Sequence, residues 1–200
     1  MKKFKIRVRQ VNIDQIDDRL LIINLYFTQC ITLITAFVIL LFQRRYAWNL
    51  LDLPESLQFL WWGALFAAAV VTADLLISKL VPEELTDDGG INEKLFAKRP
   101  LWHILLICMV VAVCEELLFR GAIQHVWGPY WTSILFAAIH IRYLRHWLLT
   151  GLVFGISYGL GWIYDETGTL WTPIAAHFFI DFVMGCFIRF GGNKGEEQSS

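Results

Sequence analysis

Apolar residues in this chain come in long blocks separated by short polar stretches. Leu20–Phe42, Leu57–Leu80, Leu101–Ala122, Trp127–Ile141, His146–Tyr164 and Leu170–Phe190 are each predominantly apolar. None shows the alternation of a half-buried strand, so each predicts a helix. About 20 apolar residues cross the hydrocarbon core of a bilayer. Five blocks approach or exceed that length, and Trp127–Ile141 is short. The pattern predicts an all-α, polytopic membrane protein with about six transmembrane helices in one bundle. The polar segments divide it into a basic tail (1–19), two N-terminal transmembrane helices (20–80), a polar connection (81–100), four further helices (101–190) and a polar tail (191–200) expected to be disordered. Within the connection, Gly89-Gly90 is expected to break the chain, INEKLF to form a short interfacial helix, and Pro100 to open the next span.

Composition agrees. The chain has 200 residues, 56% hydrophobic and 18% charged. A soluble domain usually carries about 25% charged residues, and a soluble helical bundle is correspondingly disfavoured. Fourteen of the 17 basic residues lie in the N-terminal tail, the 81–100 connection with Lys79, the 142–146 turn and the C-terminal end. The positive-inside rule then places both termini in the cytoplasm, with the plasma membrane as the location if the source is bacterial. A polar stretch of about nineteen residues precedes a first apolar block too long for a signal peptide, so no cleavage is expected. Net charge is −1 with no basic patch beyond membrane-flanking residues, which excludes nucleic acid as a partner. The bilayer itself is the implied partner. Cys30, Cys108, Cys114 and Cys186 show no metal-site spacing and are expected to be free thiols.

The informative residues are the charges inside the apolar blocks. An ionisable group there costs about 2.5–3.5 kcal/mol on insertion scales and is a functional candidate by default. The stretch Cys114–His125 reads CEELLFRGAIQH. Glu116 and Arg120 are four apart, on one helical face, and can pair. Glu115 points about 100° away from Glu116 and is left less compensated, free for chemistry. His140 ends the fourth block, and His177 and Asp181 share one face of the sixth. Two histidines and an unpaired glutamate on three helices are groups that bind a divalent metal or activate water.

Glu115-Glu116-x-x-x-Arg120, Phe136-x-x-x-His140 and His177-x-x-x-Asp181 occur in that order on successive helices. This resembles the CPBP family, the CAAX-processing and bacteriocin-protection (Abi) membrane proteases, with residues 101–190 as its four-helix catalytic core. The resemblance implies an intramembrane endopeptidase, of metallopeptidase type, acting on a membrane-associated peptide or protein. Glu115 would activate a water, and His140 and His177 would complete the site, as zinc ligands or as groups that polarise water and carbonyl. Asp181 stands where asparagine is frequent in the family and would hold His177 in one tautomer. Arg120 would keep Glu116 ionised. There is no HExxH motif.

Other readings are weaker. GISYG (155–159) matches a serine-hydrolase motif, which requires a strand-to-helix turn. Here Gly151, Gly155 and Gly159 recur every fourth residue, a stripe suited to close helix packing. Asp74 and Asp165 could suggest an aspartyl protease, but Asp165 falls in an expected loop. A different class would be non-enzymatic: a small proton- or ion-coupled transporter, or an immunity or scaffold protein. A transporter would favour paired halves with broken helices, and the sequence shows no such symmetry.

Overall fold

A computed structural model describes residues 17–82, 85–86 and 89–191, and every regular element in it is helical. The proposed basic tail, apart from its last three residues, and the C-terminal tail from 192 lie outside the described residues. The long helices are α1 (Asp18–Phe42), α3 (Gln58–Leu80), α5 (Leu101–Glu116), α6 (Gln124–Ile139), α7 (Trp147–Thr167) and α8 (Trp171–Gly191). Short helices α2 (Ala47–Leu50) and α4 (Ile91–Phe96) lie in the connections, α4 being the expected INEKLF helix, entered through Gly89 and Gly90 at positive φ.

Leu101–Ile139 forms one run of 39 residues, so five stretches rather than six are long and apolar enough to cross a membrane. A straight helix of that length would measure roughly 58 Å. It is not straight. Gly128 has φ 71° and ψ 171° inside α6, with Pro129 next. That conformation is nearly exclusive to glycine, and Pro129 suits the start of a helix. Phe119 and Phe136 would lie about 25 Å apart on a straight helix, yet their ring centroids are 4.8 Å apart. The chain therefore doubles back at Gly128-Pro129. The two expected helices are both present, joined by a hinge instead of a loop.

Between α5 and α6 the helix widens into a π-helical stretch, Leu117–Ile123, whose first six residues are buried. Its loosened carbonyls are met by side chains from the end of α1: Gln43 Nε2 donates to Ala122 O at 2.9 Å and Arg45 Nη1 to Gly121 O at 2.7 Å. Leu117, Phe119 and Ala122 pack there with Ala36, Leu40, Phe136, Leu170 and Ile174. Outside this core, large apolar side chains such as Phe27, Phe42, Trp61, Leu80 and Trp147 point outward, as lipid-facing surface does. α5 and α8 run antiparallel: Gly185 lies against Ile104, and Glu116 against His177. α3 closes on α8 where Gly63 meets the Ala175–Ala176 backbone.

The glycine stripe is only partly a packing device. Nothing approaches Gly151 or Gly155, whereas Gly159 lies against Phe66 and Gly161 against Gln124 and Pro129. The close-packed pair is thus 159/161, on the turn facing α3 and the hinge. Asp165 is also not in a loop. It lies within α7 and accepts a hydrogen bond from Gln124 at 2.8 Å.

Candidate active site

Glu116 and Arg120 are both fully buried, and Nε of Arg120 lies 3.1 Å from Oε2 of Glu116. The expected i,i+4 pair forms, as a close charge pair without hydrogen-bond alignment. Arg120 Nη2 also donates to the carbonyl and hydroxyl of Ser157, at 2.7 and 3.0 Å. Ser157 is fully buried and its hydroxyl serves as an acceptor for Arg120, a structural use.

Glu116 does more than balance Arg120. Its Oε1 lies 2.8 Å from Nδ1 of His177. The carboxylate only accepts, so Nδ1 carries the proton. Asp181 faces the other nitrogen, with Oδ2 at 3.4 Å from Nε2. Glu116 therefore shares the orienting role that the sequence reading gave to Asp181, because His177 packs its Nδ1 edge against α5.

His140 caps the C-terminal end of α6, where the chain leaves the helix. Its Nδ1 is 2.7 Å from Phe136 O. A carbonyl only accepts, so this nitrogen too is the protonated one. Its ring lies against Phe136 at 4.6 Å, and the Phe136 ring also contacts His177 at 6.5 Å. Both histidines thus have Nδ1 anchored; Nε2 of His140 is left over, while Nε2 of His177 faces Asp181.

Glu115 is half-buried. It is close enough to His177, His140 and Asp181 to interact electrostatically with all three. Helix arithmetic explains the meeting. Glu115 is about 21 Å from the start of α5 and His177 about 9 Å from the start of the antiparallel α8, so in a core about 30 Å thick they share one level. One contact was missed from sequence: Gln29 of α1 donates from Nε2 to Oε1 of Glu115 at 3.1 Å. A lone amide inside the first apolar block was the available signal.

The anchored Nδ1 atoms match the way metal-bound histidines are held. However, among the described residues no three His, Cys, Asp or Glu side chains converge as a metal's ligands.

Comparison with known proteins gives the family of the segment that holds the site. The family described as type II CAAX prenyl endopeptidase Rce1-like matches residues 97–183, which hold all the motif residues. An uncharacterized protein of Bacillus subtilis (strain 168), YpbD, is 44% identical over 143 residues, covering 72% of this chain and 74% of that one. No solved structure matches the chain. The long apolar helices, the motif residues and these two matches together show that the chain belongs to the Rce1-like CAAX endopeptidase family of integral membrane proteases.

Proposed function

We propose that this protein is an intramembrane endopeptidase that hydrolyses a peptide bond with a water activated by Glu115. The observation that carries this is that Glu115 lies near enough to His140, His177 and Asp181 to feel their charges, while the neighbouring Glu116 is taken up by Arg120 and His177. Of the two adjacent glutamates, only Glu115 has no cation bound to it and is free to accept a proton.

In this reading Glu115 takes one proton of the water, and the water oxygen attacks the scissile carbonyl carbon. The Nε2 of His140 accepts the second hydrogen and fixes the water's orientation, because its Nδ1–H is committed to Phe136. His177, carrying a proton on each nitrogen, keeps Nδ1–H on Glu116; its Nε2–H, which faces Asp181 Oδ2 at 3.4 Å in the free protein, turns to the developing oxyanion when substrate is bound. Collapse of the tetrahedral intermediate breaks the C–N bond, and Glu115 returns its proton to the leaving amine. The substrate is a peptide segment in or beside the bilayer. No step passes through a metal.

The test is purified protein in detergent, incubated with a peptide library. Wild type cleaves and Glu115→Gln does not. Cleavage by Glu115→Gln at the wild-type rate would overturn the assignment.

A further inference from the structure

The family match begins at residue 97, and by sequence α1 is one of two helices that merely precede the catalytic core. Yet α1 reaches the site. Gln29 lies midway along α1, is 7% exposed, and donates from Nε2 to Glu115 Oε1 at 3.1 Å. The helix is pinned along its length. Tyr26, three residues earlier, bonds through its hydroxyl with His103 Nε2 at 3.2 Å. Beyond the far end of α1, Gln43 and Arg45 bond the π-helical stretch.

We propose that Gln29 is a positioning residue of the active site, supplied by α1, that fixes the Glu115 carboxylate for proton transfer. The proposal rests on the reading of Glu115 as the base. A carboxylate on two rotatable bonds beyond Cβ has many orientations, and the cation on its own helix is taken by Glu116. Gln29 holds one oxygen of Glu115 and leaves the second free to receive the proton. An amide does this without supplying a positive charge. A lysine or arginine there would neutralise the carboxylate and remove the asymmetry between Glu115 and Glu116.

What sets Gln29 apart from the structural glutamines is its acceptor. Gln43 and Gln124 also donate through Nε2, to the carbonyls of Ala122 and Gly161 and to Asp165. Gln29 alone of the three donates to a carboxylate oxygen of the proposed base.

The test compares Gln29→Met, which keeps the volume and removes the donor, with Gln29→His, which restores an N–H of similar reach. Gln29→Met is expected to lower kcat on the order of 10- to 100-fold, the size of a hydrogen bond to a charged group. KM should change little, and Gln29→His should recover part of the loss. A Gln29→Met protein with wild-type kcat, or equal losses in both variants, would overturn the proposal. The assay is run beside Glu115→Gln. If Glu115→Gln still cleaves, the reading of the base has failed. If Glu115→Gln is dead and Gln29→Met is fully active, only the role of Gln29 has failed.

Discussion

At the scale of single residues, two adjacent glutamates have opposite tasks. Glu116 is fully buried between Arg120 and His177. Removing one member of a buried charge pair typically costs about 3–5 kcal/mol, so Glu116→Gln should lower the thermal midpoint strongly and disorder His177 as well. Glu115 is half-buried and has one neutral hydrogen-bond donor. Glu115→Gln should leave the midpoint near wild type and cut the rate by about 10²- to 10⁴-fold, the usual worth of a general base. Thermal melts and peptide cleavage on the two variants check this, and equal destabilisation of both would contradict it. The imidazoles give a second prediction. Because no three ligand side chains converge among the described residues, chelator-treated protein should retain cleavage. Loss of activity that zinc restores would instead assign Nε2 of His140 and His177 as ligands. The pairing of Glu116 with Arg120 was legible from sequence, since it follows from helical spacing alone. The Glu116–His177 and Gln29–Glu115 bonds were not. Each joins residues on different helices, and spacing along one helix says nothing about rotation relative to another.

At the scale of elements, the sequence showed where the helices are but not how they join. The apolar blocks marked six helices, and only the structure shows that two of them share a hinge at Gly128. The pair Gly128-Pro129 was visible, but neither its dihedral angles nor the ring contact beyond it could be read from composition. The hinge permits a clean test. A Cβ at Gly128 would meet nothing within 4 Å, and φ is 71° with ψ 171°. Any loss in Gly128→Ala is therefore backbone strain rather than a clash, about 1–3 kcal/mol. Gly155 is the control on α7, since its surroundings are open and its φ is not positive. Gly155→Ala should be neutral or slightly stabilising, as alanine is in a helix interior. Calorimetry of the purified variants decides both, and a neutral Gly128→Ala would show that the hinge does not need glycine. The small-residue stripe misled because a four-residue repeat identifies a face of a helix and not what lies opposite it. The opposing side chains, Phe66 at Gly159 and Gln124 with Pro129 at Gly161, belong to other elements.

At the scale of the molecule, the hinge decides how many times the chain crosses the bilayer. Counting apolar runs gives five, an odd number that would put the two ends of the bundle on opposite sides. Counting legs gives six, because Leu101–Ile139 turns back on itself at Gly128 and brings Phe136 to Phe119. The contacts at one end of the bundle follow the even count. Arg189 near the end of α8 donates to the carbonyl of Arg99 just before α5, and Arg142 in the α6–α7 connection reaches Asn92 on α4. At the other end, Trp171 at the start of α8 donates to Leu51 O in the α1–α3 connection. The basic residues agree with this grouping: Lys94, Lys98, Arg99, Arg142, Arg145 and Arg189 gather at the first end. By the positive-inside rule that end is expected to face the cytoplasm. Compartment-sensitive reporters fused to the N-terminus, the C-terminus and the 141–146 connection should therefore all report the cytoplasm. Reporters in the 51–57 connection or at Gly168 should report the opposite side. If the two termini report different sides, the run Leu101–Ile139 crosses only once. In that case α7 and α8 would be inverted, and His177 could not lie level with Glu115.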